Sequence, residues 1–267
     1  MAFLYETHLH TMEGSACGKV SGREYVQFYK DAGYDGIIIT DHFYGGNCRP
    51  DRDLPWEEWV NQYCSGYEAA KEEGDKIGLK VFFGLEERFN TNGEFNADEW
   101  LIYGLDKEYL LAHPEMRTWT RADYLKNVHA AGGCCVQAHP FRDRNYVDAF
   151  RLSLGVDAIE GYNSNNKIEA DVLANLYAKK HNLVMVAGGD VHFCGHVPPE
   201  KMAGVEFEKP LESIHDYVQA ILERKPFTLH KPAGYPDMTT PLPEFEKPVY
   251  IYDRDGYKTD LPASILF

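Results

Sequence analysis

An α/β fold of the (β/α)-barrel type is what this sequence predicts, and three observations carry it. Short apolar runs alternate with longer stretches of helical periodicity, the mark of βα units around a parallel sheet. Seven such units can be counted, which suggests a barrel. His, Asp and Glu residues recur where the apolar runs end, and that rim carries the chemistry of α/β barrels. At 267 residues, 44% hydrophobic and 26% charged, the chain has ample material for one such core.

Phe3 to Leu9 alternates as a strand does, so His8 and His10, two residues apart, aim two imidazoles to one side. Gly22–Ala32 has helical spacing, with Tyr25, Val26, Tyr29 and Ala32 on one face and Gly33 as the stop. Gly36-Ile37-Ile38-Ile39 is a run suited to a strand buried on both faces, and Asp41-His42 falls at its end. Residues 43–55 are a loop, and Pro55 opens a long helix with Trp56, Trp59, Tyr63 and Ala70 facing one way.

A third strand, Lys80–Glu87, ends in Glu86-Glu87; on a strand those two carboxylates point to opposite sides. A polar turn with Asn90, Asn92, Gly93 and Asn96 follows, then a short strand Trp100–Gly104 preceded by Asp98-Glu99. Thr120 caps a helix that Gly132-Gly133 ends. Strands are then predicted over Cys134–Pro140, containing His139, over Asp157–Asn163, and over Leu183–His192, ending in Asp190-Val191-His192. Helices are predicted at about 167–181 and 211–224, and a weaker eighth strand at Gly204–Phe207. No repeat or linker divides the chain, so residues 1–267 read as one domain. Residues 226–267 read as an irregular extension packed on it, with a short strand near Val249–Tyr252.

Composition narrows the function. No apolar run approaches the roughly 20 residues of a membrane span, and no basic-then-apolar leader opens the chain, so cytoplasm is the default compartment. A net charge of −15 repels phosphate backbones and argues against general nucleic-acid binding. Cys17, Cys48, Cys64, Cys134, Cys135 and Cys194 form no CxxC pair and read as reduced thiols.

His8, His10, His42, Glu86, His139, Asp190 and His192 all fall at predicted strand ends, and their joint placement at one rim points to a metal site. Imidazole with carboxylate suits Zn, Mn or Fe. A carboxylate that bridges two cations makes a centre that lowers the pKa of a bound water and neutralises phosphoryl charge.

His8-Leu9-His10, Thr40-Asp41-His42, Gly84-Leu85-Glu86, Ala138-His139-Pro140 and Asp190-Val191-His192 together resemble the ordered motifs of the polymerase and histidinol phosphatase (PHP) family, over residues 1 to about 195. The resemblance implies a distorted seven-stranded (β/α) barrel, a trinuclear metal site and hydrolysis of phosphate mono- or diesters. By position it implies that His8, His10, Glu86 and Asp190 hold one metal and that Glu86 bridges to a second, held also by His139. His42 and His192 would hold a third. Glu86, Asp190 and His192 would form the reaction centre, with two or three divalent ions.

Two positions depart from the family pattern. Glu99 stands where a His is usual before the fourth strand; it is either a second-metal ligand or a solvated loop acid. Ser15 and Ala16 stand where an Asp or His is usual, leaving the third metal short of a ligand unless Glu13 supplies it.

Cations for a phosphate are sought among Arg142, three residues after His139, and Lys19, Arg23, Arg88 and Lys167; His113 and His196 are candidate proton donors to a leaving group. The leading expectation is a metal-dependent phosphoesterase acting on a small phosphorylated metabolite or nucleotide, with a metal-activated water as nucleophile. The alternatives are an amidohydrolase-like hydrolase of a C–N or carboxylic ester bond, and a regulatory module whose metal does no turnover. The sequence leaves the oligomeric state open.

Overall fold

In the computed structural model, residues 2–89, 98–240, 247–259 and 266 are described. The polar turn expected around Asn90 to Asn96 lies outside them. The elements run in the expected order: β1 (Phe3–Leu9), α1 (Gly22–Asp31), β2 (Gly36–Ile39), α2 (Trp56–Ile77), β3 (Lys80–Arg88) and β4 (Glu99–Tyr103). There follow α3 (Lys107–Ala112), α4 (Arg121–Ala130), β5 (Cys134–Gln137), β6 (Phe150–Ser153), β7 (Ala158–Asn163), α5 (Ile168–His181) and β8 (Val184–Gly188). The chain closes with β9 (Gly204–Phe207), α6 (Ile214–Leu222), β10 (Thr228–His230), β11 (Val249–Tyr252) and β12 (Lys258–Thr259).

Local chemistry sets these bounds. Ser21 with Glu24, and Thr120 with Asp123, form capping boxes that satisfy the first amides of α1 and α4. Gly78 ends α2 in the left-handed region, where a Cβ would be strained. The three-isoleucine strand β2 is wholly buried, as its lack of alternation predicts.

The main sheet has the order β10-β9-β1-β2-β3-β4-β5-β7-β8 among the described residues. It curls until its ends meet: Leu9 and Val191 form a parallel bridge, and His10 N–H donates to the Val191 carbonyl at 3.0 Å. The result is a distorted TIM-like barrel. The early half of β1 pairs instead with β9, antiparallel, so the eighth strand that the sequence predicts weakly is real.

Strict βα alternation also fails at β4. β4 runs antiparallel to both β3 and β5, with Arg88 opposite Glu99 and Glu86 opposite Leu101. Its start therefore lies at the rim where its neighbours end. This reversal is what brings Glu99, at the head of a strand, to the level of Glu86.

The barrel interior is apolar at the end from which β1 starts. Tyr5, Ile38, Phe82, Leu101 and Val136 pack there with Tyr217, Val218 and Ile221 of α6. Tyr103 O–H reaches across to the Thr7 carbonyl at 2.8 Å, and Leu211 N–H donates to Tyr5 Oη at 2.8 Å. The opposite end is polar and holds the candidate site. Strand β6, not foreseen, joins β11 and β12 in a second, three-stranded sheet, so part of the segment after Pro226 is regular. Gln137 ties β6 to the barrel, its Oε1 accepting from Ser153 N–H at 3.1 Å.

Candidate metal centre

The strand that carries His8 and His10 is not a simple ladder. Its register against β2 slips between Glu6 and Leu9. Glu6 turns its carboxylate onto the amides there: Oε1 accepts from Thr7 N–H and His8 N–H, each at 2.9 Å, and from Gly189 N–H at 2.7 Å. Burial pushes this carboxyl up to about 7. Past the slip Leu9 packs outward with Tyr25 and Val26 of α1. His8 and His10 face the interior, with Nε2 atoms 3.1 Å apart.

Glu86 is the hub of the cluster and has no solvent exposure. Its Oε1 lies 3.3 Å from His8 Nε2 and 3.1 Å from His139 Nε2. Its Oε2 lies 3.4 Å from His10 Nε2 and 2.8 Å from His42 Nδ1. Each oxygen thus faces its own pair of imidazoles, the geometry of a carboxylate shared between two cations. Asp190 Oδ1 is 3.1 Å from His10 Nε2 and 3.6 Å from His8 Nε2, and His192 Nδ1 is 3.7 Å from the same oxygen. Glu99 is buried, with Oε2 3.5 Å from His139 Nε2 and Oε1 3.9 Å from His42 Nδ1; the solvated-acid alternative does not describe it.

Glu87 points away, as alternation requires. It accepts from Tyr124 O–H and Gly45 N–H, and burial pushes its carboxyl up to about 7. His139 and Asp190 have φ of 28° and 52°, a region that non-glycine residues seldom occupy and that recurs at functional sites.

A supporting carboxylate went unnoticed in the sequence. Glu160, on β7, accepts from His8 Nδ1 at 2.9 Å, from His139 N–H at 2.7 Å and from Asn163 Nδ2 at 2.9 Å. It fixes the His8 tautomer with Nε2 toward the cluster, the role of a carboxylate behind a ligating imidazole. An acid in the middle of an otherwise apolar strand is the signal that could have revealed it. Gly188 makes room for this pair, since a Cβ there would stand 2.6 Å from both Glu160 Oε1 and His8 Cβ.

The electrostatics call for positive charge. Burial opposes ionisation of Glu86, yet His8 and His42 outweigh it and hold the carboxyl well below the usual range. Burial likewise opposes Asp190, and Arg142 with His8 holds it low. Against burial, Glu160, Glu86 and Asp190 raise His8, and chiefly Glu86 raises His42. Burial and the neighbouring His42 keep His10 low and neutral.

A divalent cation fits this donor set. His42 Nδ1 and Glu86 Oε2, though 2.8 Å apart, lack hydrogen-bond directionality, and both are buried without a partner. Buried polar atoms left this way ask for an ion. His8, His10 and Asp190 present donor atoms within 4.8 Å of one another, and so do three further triads: His8, Glu86, His139; His42, Glu86, Glu99; and His10, His42, His192.

Above the cluster lies an open cleft of about 390 Å³. It is lined by His42, Glu99, His139, Asp190 and His192, together with Cys17, Arg88, Arg142, Arg144, Tyr146 and Asn165. Arg142 reaches the rim as the sequence predicts, but its guanidinium is engaged by Asp190, by Asn163 Oδ1 at 2.9 Å and by Asn166 Oδ1 at 2.9 Å. Arg88 is engaged by Glu99 at 2.7 Å. Arg144, not singled out beforehand, donates to the Asn165 carbonyl at 3.2 Å and stands on the wall.

Other expected cations and acids lie elsewhere. Lys19 is exposed with its ammonium 5.3 Å from the Phe193 ring centre, and Lys167 is the exposed cap of α5; neither lines the cleft. His196 sits behind His192, accepting from its N–H at 3.3 Å and stacked on Phe193. His113 pairs with Glu115, Arg23 with Glu72 and Glu73. Glu13 accepts from Gly22 N–H at the head of α1 at 3.2 Å and falls in none of the metal-compatible groups among the described residues.

No protein-family model matches the sequence, and no curated protein matches it. Solved structures do. A two-domain protein from Bacteroides vulgatus containing a predicted PHP-like metal-dependent phosphoesterase matches 86% of this chain with a TM-score of 0.59 and 15% identity. The fold is the PHP fold. The chain spans 65% of that two-domain protein's length. An amidohydrolase from Chromobacterium violaceum, with bound sulfate and no metal, matches 86% of this chain and 98% of its own length at a TM-score of 0.52 and 13% identity. At these identities the PHP likeness is one of backbone, and the donor set belongs to this chain's own side chains.

Proposed function

We propose that this chain is a divalent-metal-dependent phosphoesterase acting on a small phosphorylated metabolite or nucleotide. The observation that carries the proposal is Glu86, each of whose oxygens faces a separate pair of imidazoles at the floor of an arginine-bearing cleft. Two or three ions of the Mn, Zn or Fe class, bound there, would lower the pKa of a water and offset charge on phosphoryl oxygens.

The side chains have separate tasks. His8, His10, Glu86 and Asp190 would hold one ion, Glu86, His139 and Glu99 a second, and His42 with His192 a third. Glu160 orients His8, and Arg142 orients Asp190 while keeping it ionised. Arg144 offers its guanidinium to a substrate phosphate, and Tyr146 and Asn165 border the same space. The acidic chain disfavours polyanions and so favours a small substrate over nucleic acid. We place the chain in the cytoplasm on its free cysteines, and treat residues 1–267 as one domain because β10 and β11 each join an earlier strand.

The test is a paired assay of an aryl phosphate and an aryl carboxylic ester, with added Mn²⁺ or Zn²⁺ and with chelator. Metal-dependent release from the phosphate is expected. Release from the ester alone would favour the amidohydrolase-like reading, and metal binding with neither reaction would favour a non-catalytic module.

A further inference from the structure

The triad His10, His42 and His192 is the most open of the metal-compatible groups, and it has no carboxylate. The two residues that stand where an acid or imidazole was expected cannot help. The Ser15 hydroxyl donates to Asp41 Oδ1 at 2.7 Å and accepts from His42 N–H at 2.9 Å, and Ala16 has no donor atom. One residue further on, Cys17 lines the cleft together with His42 and His192.

The loop holds it there from both sides. Ala16 N–H donates to the Asn47 carbonyl at 2.8 Å, Gly18 N–H to the Ser15 carbonyl at 3.1 Å and Lys19 N–H to the His192 carbonyl at 2.8 Å. A second observation points to an ion: His42 is more than nine-tenths buried, and its Nδ1 has no hydrogen-bond partner. The rings of His42 and His192 lie 4.3 and 4.7 Å from that of His10, so all three crowd one point.

We infer that Cys17 is a sulfur donor to a metal position formed with His42 and His192. The inference rests on the metal-centre reading above. On binding, the S–H bond is lost, its proton passes to solvent, and an S–metal bond forms. One thiolate with imidazoles prefers Zn²⁺, Co²⁺ or Fe²⁺ to the harder Mn²⁺, so this position would differ in metal preference from the carboxylate-rich positions beside it.

Cobalt tests this directly. Metal-free protein is loaded with Co²⁺ and its absorption recorded for the wild type, Cys17→Ser and Cys194→Ser. A thiolate-to-cobalt charge-transfer band in the near ultraviolet is expected in the wild type and in Cys194→Ser. It should vanish in Cys17→Ser, which should retain the weaker visible bands of cobalt bound elsewhere and lose one ion by elemental analysis.

Alkylation of the unmutated chain, mapped by mass spectrometry, is the companion measurement. Zn²⁺ should protect Cys17 and leave the exposed Cys194 reactive. Cobalt bound without a thiolate band, or Cys17 alkylated equally with and without Zn²⁺, would overturn the inference and leave the metal centre standing. No cobalt bound at all would overturn both.

Discussion

The floor of the site and its wall are built on different principles. The floor, His8, His10, Glu86, His139 and Asp190, sits on strand ends and in the turns directly after them. Each of these side chains is held by a ladder or by a buried partner such as Glu160, Ser15 or Arg142. The wall, Cys17, Arg144, Tyr146, Asn165 and His192, stands largely on loops and is partly open. The difference teaches where the chemistry is fixed and where specificity is free to vary. Ligand geometry depends on the sheet, whereas the groups that meet a substrate depend on connections that tolerate change.

That contrast can be broken from the floor upward. Glu86→Gln should have the largest effect, since one substitution disturbs both pairs of imidazoles. Aryl phosphatase activity should fall by more than the roughly 10–100-fold that an outer-shell change costs, and metal content should fall with it while the circular dichroism stays native. Glu160→Gln should come next, weakening metal affinity by about 10–100-fold, with excess metal restoring turnover. A Glu160→Gln protein with wild-type affinity would mean that the His8 tautomer needs no anchor. On the wall, Arg144→Ala should raise KM by about 10-fold, the worth of one charge-assisted contact, and leave kcat and metal content nearly unchanged.

Thermal melts against pH sharpen the same comparison. His8 and His42 are held above the ordinary imidazole value, so their pairing stabilises the metal-free fold below about pH 6.5 and is lost as pH rises through their raised values. Glu86 and Asp190 are held low, so their contribution is present above about pH 4 and is lost as pH falls through their depressed values. Metal-free protein should therefore be most stable between about pH 4 and 6.5. A tightly bound ion should raise Tm by on the order of 10 °C at pH 8 and progressively less in acid. The smallest effect belongs to Glu13→Ala, which removes an acceptor at the head of α1 and should cost about 1 kcal/mol or less with no loss of metal.

Much of the floor was legible in the sequence because buried strands announce themselves and polar residues at their ends stand out. Gly36 to His42 and Leu183 to His192 are examples. The direction of β4 was not legible: the four apolar residues Trp100 to Tyr103 look alike in either orientation, and only pairing with Leu85 and Cys135 settles it. Glu160 stayed hidden because a supporting carboxylate has no motif of its own. On the wall, Lys19 and Lys167 attracted notice by charge and position, yet both face solvent, while Arg144 and Cys17 sit in loops without periodicity. Arg142 was placed correctly at the rim, but its partners Asn163, Asn166 and Asp190 come from distant parts of the chain.

The central claim is that Glu86 lies between cations. Anomalous diffraction from crystals grown with Mn²⁺, at the manganese edge, tests it most directly. The account predicts at least two peaks flanking Glu86, one beside His8, His10 and Asp190 and one beside His139 and Glu99. Fully loaded crystals with no peak within reach of either Glu86 oxygen would contradict it.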